Sequence, residues 1–275
     1  MAKRLVGNSA IQNQKWIKEG RGAGHGSDYK PWLTVRDLGS EGRSHRVFGH
    51  KTKRTHHLLS DVELAVFLML DWHPSTTDLR EQFPLKLEDT QKIAIENGIA
   101  HPAVRGSDQI MTSDFLVNSS DKNQSKYAIQ VKYSTALQDA RTIEKLEIER
   151  RYWAQKGIPW FLVTEQEIPT VVLENIKWLY PASRAALPYA DVFEKVTFYA
   201  EQLNKQPEKS LITITKIIDS AYNLELGQSL FEIRELLAQR FFKFDISRLV
   251  RQLKASDLEL GDALLWSGVR HAANQ

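Results

Sequence analysis

Two stretches, QIMTSDFLV (109–117) and KYAIQVKYS (126–134), decide how the first half of the chain is read. Both are rich in β-branched, aromatic and other apolar residues, and the polar NSSDKNQS (118–125) separates them. They predict an antiparallel hairpin. Side chains alternate across a strand, so Gln130 and Lys132 share a face with Ala128, while Ile129, Val131 and Tyr133 point the other way. An amide and an ammonium two residues apart are either the wet face of an edge strand or aimed at something. Asp114 opens the partner strand, and the fifteen residues between it and Gln130 allow the turn to bring its carboxylate near that face.

Downstream, Ala136, Ala140, Ile143, Leu146 and Trp153 mark one face of a long helix stopped by Gly157, and IPWFLVT (158–164) reads as a further apolar, buried strand. Strand, helix and strand make a crossover unit, so this half is α/β with a mixed sheet. Upstream, LREQFPL (79–85) reads as a strand and LEDTQKIAIENG (87–98) as a short helix closed by Gly98. In LLSDVELAVFLMLDW (58–72), Ser60 followed by Glu63 is a capping-box pattern that opens a helix apolar almost all round. GRGAGHGSDYKPWL (20–33), with four glycines and a proline, reads as loop.

Beyond about residue 168 helical spacing dominates, and FFKFDI and LKASDLEL supply two short strands. Helices followed by a small hairpin predict a mainly α, winged-helix-like module. At 275 residues the chain exceeds what one core usually serves. The expected domains are 1–167, with a basic N-terminal arm, and 168–275.

The net charge of +3 is unevenly placed: residues 1–60 hold 12 Lys+Arg against 4 Asp+Glu, a surplus of +8 that leaves −5 for the rest. A basic, glycine-rich arm ahead of an acidic body points to a polyanion such as DNA, or else to a solvated tail. Arg21, Arg43, Arg46, Lys51, Lys53 and Arg54 are the candidate DNA contacts, from charge alone. The chain has no cysteine, which excludes disulfides and thiolate metal sites and fits a reducing, cytoplasmic setting. The N-terminus has no secretory h-region, and the densest apolar run, LAVFLML (64–70), is too short to span a bilayer, so no membrane is expected.

Glu63 is the one ionised group between Asp61 and Asp71, on a helix otherwise fit for burial. If that helix packs on the hairpin, two carboxylates, an amide and an ammonium converge. Such a set suits metal-assisted phosphodiester hydrolysis, with oxygen ligands for Mg²⁺ and a lysine to orient water or stabilise developing charge. Gln130 then stands at a second acidic position, and the backbone carbonyl of Val131 adds an oxygen. The plainer readings are a capping glutamate, a strand-opening aspartate and a solvated hairpin face. Asp108 is a rival carboxylate, Asp121 falls in the turn, and Lys145 and Glu149 read as a solvated helix face. His56 and His57 lack the partners a zinc site needs and read as loop or DNA-contacting residues, and GRGAGHG lacks the strand and GK[ST] ending of a phosphate loop.

Several of these stretches together resemble a known family. EGRGAGHGSDYKPWLTV (19–35), GRSHRVF (42–48), HHLLSDVELAVFL (56–68), LREQFPL, SDFLV (113–117), AIQVKYSTALQDART (128–142), LEIERRYWAQKGIPWF (146–161) and AYNLELGQSLFEIR (221–234) are similar to TnsA, the endonuclease subunit of heteromeric transposases. The resemblance implies a restriction-endonuclease-like first domain, a winged-helix-like second one, and a catalytic set matched here by Glu63, Asp114, Gln130 and Lys132. The residue reading itself gives Glu63, Asp114, Gln130 and Val131 as the holders of Mg²⁺, with Mn²⁺ as a substitute. The resemblance also implies hydrolysis at the 5′ ends of transposon-end DNA while a TnsB-type partner cuts and joins the 3′ ends, and a TnsC-type AAA+ regulator bound through the C-terminal region. The alternatives are a non-catalytic DNA-bridging subunit and a stand-alone nuclease of the same fold.

Overall fold

The computed structural model describes residues 10–37, 43–184 and 189–261, and the chain divides into two compact units, Met1–Ile168 and Pro169–Gln275. In the first unit, α1 (Ala10–Lys18) leads through a glycine-rich loop to a hairpin of β1 (His45–Phe48) and β2 (Thr55–Leu58). Then come α2 (Asp61–Trp72), β3 (Thr76–Pro84), α3 (Leu87–Glu96), the two-residue pair β4 (Ala103–Val104) and β5 (Ser107–Asp108), β6 (Thr112–Ser119), β7 (Lys126–Val131), α4 (Ala140–Gln155) and β8 (Trp160–Val163). The main sheet has the order β3-β6-β7-β8. β6 runs antiparallel to both β3 and β7, while β8 lies parallel to β7 after the α4 crossover. The expected hairpin and mixed sheet are therefore present.

Leu116 and Ala128 on one sheet face pack with Leu85, Ile93 and Ala94 around α3 and with Ile148, Tyr152 and Trp153 on α4. The opposite face meets β2 and α2: Glu81 reaches His56, whose ring lies 4.5 Å from that of Phe67. α2 starts where Ser60 Oγ accepts the Glu63 N–H at 3.0 Å, as the capping pattern predicts.

Two expectations shift. Residues 134–138 form a 3₁₀ turn, and α4 begins only after Asp139, whose carboxylate caps it by accepting the N–H groups of Arg141 and Thr142. β8 is an edge strand with Phe161 exposed, rather than a fully buried one.

The glycine-rich arm is loop, as its composition predicts, but it is packed, with Tyr29 and Trp32 buried. It runs along the outer edge of β3: the Tyr29 hydroxyl donates to the Glu81 carbonyl at 3.0 Å, and the Trp32 N–H donates to the Gln82 carbonyl at 3.2 Å. Asp78 accepts the Gly26 N–H at 3.1 Å. Gly22, at φ +78°, lies where a Cβ would come within 2.2 Å of Pro84 Cγ, so only glycine fits. The loop thus covers a strand edge that would otherwise be open to pairing.

The second unit holds α5 (Thr170–Leu179), α6 (Tyr189–Lys205), α7 (Leu211–Ala221) and α8 (Gln228–Ala238), then β9 (Phe242–Lys243) paired antiparallel with β10 (Glu259–Leu260). A single bridge joins Ser210, before α7, to Lys254. Its core includes Ile176, Leu179, Leu211, Ile214, Ile218, Ile233, Leu236 and Leu253. Buried Asp219 accepts the N–H groups of Gly227 and Ser229 and so satisfies the start of α8. Among the described residues no helix is long and apolar enough to cross a membrane.

Candidate active site

The site lies where strand alternation breaks. Gln82 in β3 has φ +47°, the left-handed region, and the β3–β6 ladder pairs Glu81 with Phe115 and Phe83 with Ser113 but omits the residues between. Glu81 and Phe83, two apart, should share a face. Instead Glu81 reaches β2, while Phe83 packs its ring 5.9 Å from Trp153 on α4. Ser113 likewise turns to α4, donating to Glu149 Oε1 at 2.6 Å. Asp114 lies beside Ser113 opposite this kink, where the ladder leaves it unpaired with Gln82.

Asp114 Oδ2 accepts the Val131 N–H at 2.7 Å and lies 3.5 Å from Lys132 Nζ. Asp114 Oδ1 accepts from Gln82 Nε2 at 3.1 Å, and the same nitrogen donates to Glu63 Oε2 at 3.3 Å. Lys132 Nζ also donates to the Val131 carbonyl at 2.8 Å. Glu63, Asp114, Lys132 and Val131 are thereby brought together. Gln130 adjoins them through its side-chain oxygen, which accepts the Asp114 N–H at 3.0 Å.

Glu63 serves two roles at once. Its carboxylate accepts the Leu59 N–H at 3.0 Å and the Ser60 hydroxyl at 3.2 Å, the remainder of the helix cap. It is also buried, and burial, followed by the charge of Asp114, pushes its carboxyl well above the usual range despite Leu59, Lys132 and Ser60.

Glu149 was missed. Its place on α4 among charged residues suggested a solvated face, yet it is 2% exposed. Oε1 accepts from Ser113 Oγ and, at 2.9 Å, from Trp160 Nε1, and burial raises its carboxyl to about 7. With Gln130, Lys132, Lys145 and Thr142 it lines a pocket of about 290 Å³. Gln82 was missed too, because LREQFPL reads as an unbroken strand.

The other candidates fall elsewhere. Asp108 takes Gln91 Nε2 at 2.6 Å, beside His101. Arg54 is no phosphate contact: its buried guanidinium donates to Glu81 Oε1 at 2.8 Å and Oε2 at 2.5 Å, and to the Leu79 and Gly26 carbonyls. Arg21 stacks 4.1 Å over Trp16 and pairs with Asp37 at 2.7 Å, which spends it on the arm's own packing. His56 is fully buried in β2 against Glu81, neither loop nor DNA-facing. Lys51 is half-buried, with Nζ 3.4 Å from the Pro74 carbonyl, whereas Arg43, Arg46 and Lys53 are exposed.

Among the described residues no three His, Asp or Glu side chains cluster to hold a metal ion. The oxygens that converge are those of two carboxylates and one backbone carbonyl. That set fits Mg²⁺, which keeps several waters and needs few protein ligands, better than zinc. Lys132 Nζ and Gln82 Nε2, each set between two of these oxygens, mark where positive charge is welcome.

Comparison with known proteins gives the class first. A family model described as TnsA-like endonuclease N terminal matches residues 73–165, and one described as TnsA endonuclease C terminal matches residues 167–246. The chain is also 50% identical over 274 residues, the full length of both, to the transposon Tn7 transposition protein TnsA of Escherichia coli. It belongs to the TnsA endonuclease family. Asp114, Gln130, Lys132 and Glu149 lie inside the N-terminal match, and Glu63 precedes it.

Proposed function

We propose that the chain is a Mg²⁺-dependent DNA endonuclease subunit of a heteromeric transposase, cutting the 5′ strands at transposon ends while a TnsB-type partner processes the 3′ strands. One observation carries the reading most: one Asp114 oxygen shares the Gln82 amide with Glu63, and the other meets Lys132 and the Val131 N–H. Glu63, Asp114 and the Val131 carbonyl would hold the cation, with Gln130 fixing the backbone of Asp114. When bound, the cation supplies the charge that polarises a phosphate and acidifies a water. Lys132, with Nζ 3.5 Å from Asp114, would orient the attacking water or stabilise the charge growing on the phosphate. Asp114 holds that ammonium in place, and the Val131 N–H holds Asp114.

The first unit supports a restriction-endonuclease-like reading through its mixed sheet and crossover. In the second, the order α6, bridged Ser210, α7, α8 and the β9–β10 pair supports a winged-helix-like one. On α8 and its approach, Ile233, Leu236 and Leu237 are core, while Leu226 and Phe231 stand exposed and suit a TnsC-type partner. Arg43, Arg46 and Lys53 remain the arm residues suited to phosphate.

The test is strand-specific cleavage of transposon-end DNA with TnsB-type and TnsC-type partners. Lys132→Ala should lose the 5′ cut and keep 3′ processing. A normal 5′ cut would refute the assignment, and a metal-independent cut would refute the cofactor.

A further inference from the structure

Three features meet on Gln82. Its backbone is left-handed inside a strand, a conformation a bulky residue adopts only when its surroundings enforce it. Its carbonyl is held by the Trp32 N–H from the arm. Its side chain is 2% exposed and fully engaged: Nε2 donates to Asp114 and Glu63, and Oε1 accepts the Thr112 hydroxyl at 3.1 Å. Such outliers gather at functional sites.

The chemistry of the residue is also informative. An amide can bind two carboxylates without neutralising them. A lysine there would cancel the attraction for a cation, and a leucine would leave two buried carboxylates facing each other with no shared donor. We propose that Gln82 is a positioning residue of the candidate metal centre, whose carboxamide sets the spacing of Glu63 and Asp114 so that their remaining lone pairs meet on one cation. The proposal rests on the metal reading above. Hydrogen bonds to ligating groups commonly govern metal affinity in this way.

The test is Mn²⁺ titration of the full-length protein, followed by the electron paramagnetic resonance of the free ion. Wild type is compared with Gln82→Gly, Gln82→Met and Asp114→Ala. Gln82→Gly removes the amide while suiting the left-handed backbone; the lost side-chain bonds should lower Tm, and a cooperative melt shows that the variant folds. Both Gln82 variants should weaken Mn²⁺ binding by about tenfold or more. In the assembled cleavage reaction, Gln82→Gly should raise the metal concentration at half-maximal rate, with kcat largely restored at saturating metal. Wild-type affinity in Gln82→Gly would overturn the proposal and leave Gln82 only a backbone role. Should Gln82→Met fail to fold, Gln82→Gly alone decides. Binding that ignores Asp114→Ala would instead overturn the metal reading, and this role with it.

Discussion

Glu81 and the Glu63–Asp114 pair are buried carboxylates of one unit, the first next in the chain to the Gln82 that binds the other two, and they are opposite in electrostatics. Glu81 is fully compensated: Arg54 grips both oxygens, His56 lies at 2.8 Å and the His57 N–H at 3.1 Å. Burial alone would raise its carboxyl, but His56 and Arg54 override that and hold it well below the usual range. Glu63 and Asp114 share one neutral amide and a lysine 3.5 Å from Asp114, and burial and mutual repulsion push Glu63 the other way. Arg54 and His56 compensate Glu81 in place, whereas Glu63 and Asp114 have one amide and one lysine beside them, and the proposed cation site rests on that contrast.

The largest effect expected from this contrast is on activity. Asp114→Ala should lower 5′-strand cleavage by about 10³-fold or more, since a cation's charge stabilisation is worth several kcal/mol. The fold should survive, as checked by Tm. Stability should reverse the order: Glu81→Ala leaves the buried Arg54 charge without its counter-ion and His56 Nδ1 without its carboxylate, and should cost about 3–5 kcal/mol in urea unfolding. Glu63→Gln in metal-free protein, which removes a like-charge neighbour of Asp114, should be neutral or stabilising. If the two glutamates behaved alike, the comparison would fail.

A smaller effect should come from the arm. Gly22→Ala meets Pro84 and takes on a left-handed backbone, and should cost about 1–3 kcal/mol while disturbing the brace behind Gln82. The smallest is the acid response. The Glu81 carboxyl is depressed in the fold, so its contribution is present above its unfolded value of about 4.3 and is lost as pH falls toward the folded one. Glu81→Gln should be less stable at neutral pH but show a flatter decline below about pH 4.3, read from Tm against pH.

The contrast also explains what the sequence disclosed. The hairpin, the α4 crossover and the capped start of α2 are local patterns, and they put Glu63, Asp114, Gln130 and Lys132 within reach of one another. The β1–β2 hairpin was hidden because HRVF and THHL are short, and the burial of His56 in the second of them goes with Glu81, more than twenty residues away. The same long-range pairing turned Arg54 from a supposed DNA contact into a core residue. Gln82 carried no local signal at all: its left-handed backbone comes from the arm on one side and Asp114 on the other. Glu149 looked solvated because its neighbours on α4 are charged, and its partners Ser113, turned by the kink, and Trp160 come from distant strands.

The most direct test of the central claim is Mn²⁺ anomalous diffraction from the protein bound to transposon-end DNA. The account predicts a peak about 2.1 Å from carboxylate oxygens of Glu63 or Asp114 and from the Val131 carbonyl. A peak elsewhere, or none in a complex that still cuts the 5′ strand, would contradict it.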